Sequence, residues 1–252
     1  MVNEHSNKEL YTNCSSWYDT TEGKRILKQI DNKIAKHLSH SFGYYAFEMG
    51  SITDHKKLLK DARIGACFSL GQYTTQVDIQ ACAEALPLDS NSVDLIIASH
   101  VFECSVHPHQ ILREIDRVLV ADGQCIFIGF NPLSFLLSHR SLRSIINTSP
   151  HAKLYGVSQI RDWLSLLSWK VNKISYLGFR PAFLNGKLAT QGDKIEKWGQ
   201  LYWPIFGKLY IIHAQKEIFA KIPPTQSWRR PILKGGVAIN PIPRNQQSRE
   251  QK

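Results

Sequence analysis

The stretch from Ser92 to Phe130 limits the fold of this chain more than any other. It opens with "SVDLIIASHVF", an unbroken apolar run of the kind found in a strand covered on both faces. "HPHQILREIDRVLVADG" follows, with Ile111, Leu112, Ile115, Val118 and Leu119 at helical spacing. Pro108 suits the first turn of that helix, and Gly123 suits the position just past its end. "QCIFIGF", residues 124 to 130, is a second buried strand. Strand, helix and strand joined by short links make a βαβ unit, which commits the chain to a parallel sheet.

Other elements fit around this unit. Ile26, Ile30, Ile34 and Leu38 recur at steps of four in residues 21–38, an amphipathic helix. Residues 43–49, 64–70 and 76–81 read as strands, 54–62 as a short helix and 157–168 as a longer one. Residues 170–179 and 208–217 read as late strands. The expected architecture is an α/β three-layer sandwich with a mostly parallel sheet. A helical lead-in spans 1–39, the main body 40–220, and a substrate cap is expected within 135–205.

Charge divides the chain unevenly. Lys and Arg number 31 against 21 Asp and Glu, a net charge of +10. Residues 221–252 hold seven Lys or Arg against Glu250 alone, so this segment supplies +6 of the total. It also carries five prolines and is expected to be a flexible basic tail. Such a tail suits RNA, DNA or an acidic partner, and equally suits a purely solubilising role. The five cysteines form no CxxC pair and read as reduced thiols of a cytoplasmic protein. "MVNEHSNKEL" is too polar for a secretory signal, and Asn131, Pro132 and Ser134 interrupt the most apolar later stretch. No Walker loop, GxGxxG, HExxH or GxSxG occurs, which argues against nucleotide hydrolysis, dehydrogenase, zincin and lipase chemistry.

In open α/β sheets ligands gather beyond the carboxyl ends of the strands. Those ends hold Glu48, Met49 and Gly50 after the first strand, then Cys82, Ala83, Glu84 and Leu86 after the third. Ser99, His100, Val101 and Glu103 follow the fourth, and Asn131 and Pro132 the fifth. His100, Cys104, His107 and His109 are metal-ligating residue types, but their spacing fits no zinc template, and no metal is expected. Glu114 and Arg117, three apart on a helix, read as a surface pair.

"AEALPLDSNSVDLIIASHVFE" followed by "HPHQILREIDRVLVADGQCIFIGFNPLS" resembles the class I S-adenosylmethionine-dependent methyltransferases, within the methyltransferase type 11 group. "WYDTTEGKRIL", "GFNPLSF" and "DWLSLLSWKV" resemble one bacterial subgroup of it. The resemblance implies a Rossmann-like sheet, S-adenosylmethionine as cofactor and methyl transfer to an acceptor it does not identify. It implies that Glu48, Met49, Gly50, Cys82, Ala83, Glu84, Leu86, Ser99, His100 and Val101 face the cofactor. His100 and Glu103 are the candidates for handling a proton. The chain departs from the family pattern at three places. Ile52 and Asp54 stand where later loop glycines are usual, "SLGQYTT" offers no ribose-binding acid, and Cys82 replaces an Asp. Those departures also admit an alternative: a non-catalytic protein of the same fold that docks through its tail.

Overall fold

A computed structural model describes residues 2–39, 41–136, 153–179, 196, 199, 201–202 and 204–217. The expected tail, 221–252, and most of the expected cap lie outside the described residues. The body carries a seven-stranded sheet of order β3-β2-β1-β4-β5-β7-β6. Its strands are β1 (Phe42–Gly50), β2 (Arg63–Gly71), β3 (Ile79–Gln80), β4 (Val93–Ser99), β5 (Leu119–Phe130), β6 (Trp169–Leu177) and β7 (Leu209–Lys216). The neighbours from β3 to β5 pair in parallel, while β7 runs antiparallel to both β5 and β6. Two of the strands expected at the end of the chain thus form one edge of the sheet.

Apolar residues on both faces of the central strands explain their unbroken runs. On β4, Ile96 and Ala98 join one core and Leu95 and Ile97 the other. On β5, Cys125 and Phe127 face one way, and Ile126, Ile128 and Phe130 the other. The first core is closed by α3 (Pro108–Val118) and α4 (Val157–Leu166). The second is closed by α1 (Val2–Trp17) and α2 (Thr21–Leu38). Ile26, Ile30, Ile34 and Leu38 of α2 are each at most 1% exposed. Burying each such side chain contributes roughly 1.5–3 kcal/mol. The Thr20 hydroxyl caps α2 by accepting from the Gly23 amide at 3.0 Å. A Cβ on Gly23 would lie 2.2 Å from the Trp17 carbonyl oxygen, so only glycine lets α1 and α2 meet this closely.

Several boundaries differ from those expected. The expected helix over 54–62 is a single 3₁₀ turn, Leu58–Asp61, and the expected strand over 76–81 shrinks to Ile79–Gln80. α3 stops at Val118, and Leu119 already has extended backbone. Gly123 therefore does not end the helix. It lies in an irregular stretch of β5, where the register to β4 shifts between Val93 and Leu95. Within the expected cap, α4 and β6 belong to the body, with β6 an edge strand. No helix among the described residues is long and apolar enough to cross a membrane.

Candidate functional site

The strand carboxyl ends surround a cleft that is open to solvent. Met49 and Gly50 enter it from β1, and Leu70, Gly71, Gln72 and Tyr73 from the end of β2. The segment after β3 supplies Cys82, Ala83, Glu84 and Leu86, and the end of β4 supplies His100 and Val101. Gly50 has φ +103°, and a Cβ there would lie 1.8 Å from the Ser99 carbonyl oxygen. This is a left-handed position with no space for a side chain, so glycine is required.

Eight of the residues expected to face a cofactor thus share one wall. Two others do not line it. Glu48 points to the opposite side of β1 and is 3% exposed. Its carboxylate accepts from the Leu58 and Leu59 amides at 2.7 and 3.1 Å, at the start of the 3₁₀ turn. Burial raises its pKa, and those two bonds partly oppose the rise. Ser99 is also turned away. Its hydroxyl donates to the Met49 carbonyl at 3.0 Å and accepts from the Ile52 amide at 3.2 Å. Both residues shape the loop after β1 from outside the cavity.

His100 and Glu103 form a buried polar cluster against the cavity wall. His100 is left-handed at φ +55°, and its ring stacks on Phe130 with centroids 4.1 Å apart. Strained backbone of this kind gathers at functional sites. Glu103 Oε1 accepts from the Phe130 amide at 2.8 Å and lies 3.4 Å from His100 Nδ1. An ionised carboxylate only accepts, so in a neutral imidazole Nδ1 is the donor beside it and Nε2 is the atom left to find a partner. The Tyr18 hydroxyl supplies that partner at 2.7 Å. Burial pushes the Tyr18 phenol up, with Cys14 and Glu103 adding to it. The Tyr210 hydroxyl is buried without a hydrogen bond among the described residues. A Cβ on Gly129 would lie 2.2 Å from it and 2.8 Å from Glu103 Oε1, so glycine lets both oxygens crowd one space.

Two expected readings take other roles. Asn131 does not line the cavity: its amide donates to the Ile205 and Gly207 carbonyls at 2.6 and 2.8 Å, bracing the approach to β7. Glu114 and Arg117 are more than a surface pair. Arg117 donates to the Leu86 and Leu88 carbonyls at 3.0 and 2.8 Å, and Glu114 accepts from the Leu86 amide at 3.0 Å. Together they pin the segment that carries Glu84 and Leu86 into the cavity. The bond from Arg117 holds the Glu114 carboxyl below its ordinary pKa.

Sequence reasoning missed the part played by α1. Asn7 and Tyr11 line the cavity from across its mouth. Leu10, Tyr11, Cys14, Trp17 and Tyr18, all buried, recur at helical spacing, and that was the signal available.

Residues 54–127 match the model of a methyltransferase domain family. The chain is 27% identical over 229 residues to the Escherichia coli (strain K12) protein YafS, covering 88% of this chain and 89% of that one. A malonyl-[acyl-carrier protein] O-methyltransferase from Paenibacillus sp. (strain JDR-2) is 33% identical over 93 residues, 37% of this chain and 31% of its own length. Among solved structures, a chain of the complex between the Haloferax volcanii Trm112 methyltransferase activator and a methyltransferase superposes with a TM-score of 0.55 at 15% identity. That match covers 81% of this chain and 97% of that one. An S-adenosylmethionine-dependent methyltransferase from Thermotoga maritima also reaches 0.55, at 16% identity, covering 84% of this chain and 99% of its own. These two share the fold. Residues 54–127 thus carry the similarity to a methyltransferase domain, and the mostly parallel seven-stranded sheet is the fold shared with those two solved structures.

Proposed function

We propose that this protein transfers a methyl group from S-adenosylmethionine bound in the cavity at the strand carboxyl ends. One observation carries this reading: Met49, Gly50, Cys82, Ala83, Glu84, Leu86, His100 and Val101, from three separate strand ends, meet around one space. The lining fits as well. Met49, Leu70, Leu86, Val101 and Ile111 provide apolar walls, and the Asn7 side-chain oxygen is a buried acceptor without a partner among the described residues.

When bound, the cofactor supplies an already activated methyl group. The chain must align the acceptor and exclude water, and such positioning provides a large share of the acceleration. In this reading His100 takes a proton from the acceptor at Nε2, with the Tyr18 hydroxyl as its resting partner. Glu103 acts through His100 as a positioning residue, fixing the tautomer from the Nδ1 side. The five free thiols support a cytoplasmic setting. The non-catalytic, RNA-docking alternative draws no support from the relatives above, and the tail it needs lies outside the described residues.

The test is transfer of label from methyl-tritiated S-adenosylmethionine to a desalted extract fractionated into small molecules, protein and RNA. Label in one fraction is expected, and transfer is expected to fall about 100-fold or more in His100→Asn, further than S-adenosylhomocysteine affinity falls. Absence of transfer to every fraction contradicts an enzymatic role.

A further inference from the structure

We propose that α1 is part of the cofactor site, with Asn7 supplying the hydrogen-bond acceptor that the end of β2 lacks. This rests on the reading of the cavity as the cofactor site and names further residues for it.

The end of β2 contributes Gly71, Gln72 and Tyr73 to the cavity and no carboxylate. Glu84 is the one carboxylate among the described lining residues, and it already accepts the Ser105 hydroxyl. Asn7 Oδ1, by contrast, is buried and makes no hydrogen bond among the described residues. Leaving such an acceptor unsatisfied costs about 1–3 kcal/mol, so its persistence at a cavity wall points to a donor on the occupant. S-adenosylmethionine offers donors of that kind in its ribose hydroxyls, adenine amine and ammonium group. Beside Asn7, the Tyr11 ring meets the Tyr73 ring with centroids 5.5 Å apart, so α1 and the end of β2 close on each other across the mouth.

The loop after β1 is built to hold α1 there. The Tyr11 hydroxyl donates to the Gly50 carbonyl at 3.4 Å. Ser15 donates to Asp54 at 3.0 Å and lies 2.9 Å from His55 Nε2, while His55 Nδ1 lies 3.6 Å from Asp19. One turn on, Tyr18 reaches His100. Asp54 occupies one of the positions where the resemblance implies glycine, and Ile52, at another, is fully buried in the α1–α2 core. The loop has thus exchanged close backbone approach to a ligand for a seat that fixes a helix over it. The acceptor that the strand ends lack returns on that helix.

Calorimetric titration of the full chain with S-adenosylhomocysteine tests this, using wild type, Asn7→Ala and Asn7→Asp, each checked for an unchanged melting temperature. Asn7→Ala is expected to weaken binding about tenfold. Asn7→Asp, which keeps an acceptor oxygen, is expected to stay within about threefold of wild type. Hydrogen exchange is the second readout, with the amides of residues 8–17 slowing when S-adenosylhomocysteine is added. Wild-type affinity in Asn7→Ala, or unchanged exchange in α1 on binding, overturns the assignment and leaves the methyltransferase reading standing. Absence of binding by the wild type at millimolar ligand overturns both.

Discussion

His213 shows how a single residue in the sheet sets a measurable property. It sits on β7 facing β5, with Nε2 3.1 Å from the Gln124 side-chain oxygen and its ring centroid 5.0 Å from that of His37. Burial, His37 and Lys173, in that order, lower its pKa from 6.5 to about 4. The imidazole is therefore neutral in the folded chain, while the unfolded chain takes up a proton below 6.5. Between those two values the unfolded state binds more protons, so stability rises with pH and is lost as pH falls. From about pH 7 to about pH 4.5 this one half-buried group, partly screened by solvent, removes roughly 1 kcal/mol. Urea unfolding at the two pH values measures the loss, and His213→Gln is expected to remove most of it. An equally steep fall in the variant would assign the slope to other groups.

The elements that build the cavity depend on polar contacts at sequence-distant positions. Arg117 on α3 holds the Leu86 and Leu88 carbonyls, and Glu114 holds the Leu86 amide. Arg117→Ala is expected to cost about 1–2 kcal/mol in urea unfolding and to speed exchange of the Leu86 amide. An unchanged Leu86 exchange rate would show that the segment is held by other means. α3 also marks where sequence reading succeeds and fails. Its start and its buried stripe were legible, because proline and a 3.6-residue period are local signals. Its end was not, because Val118, Leu119 and Val120 satisfy a strand as well as a helix, and pairing with β4 decides between them. The direction in which Glu48 points was hidden for a related reason. Resemblance fixes a position along β1, but the alternation of the strand decides which face a side chain takes, and this one turns toward the 3₁₀ turn.

For the molecule as a whole, the central strands and the helices covering both faces were legible, because two-sided burial writes itself as unbroken apolar runs. The reversed direction of β7 and the seat of α1 over the strand ends were not, since both depend on contacts between residues far apart in the chain. The proposed site for S-adenosylmethionine lies between the strand carboxyl ends and α1. Calorimetric titration of the wild type with S-adenosylhomocysteine, beside Ala83→Trp to fill the cavity, tests it most directly. Saturable one-to-one binding in the micromolar range is expected, abolished in Ala83→Trp at an unchanged fold. No heat at millimolar ligand, or equal binding by the filled variant, would contradict it.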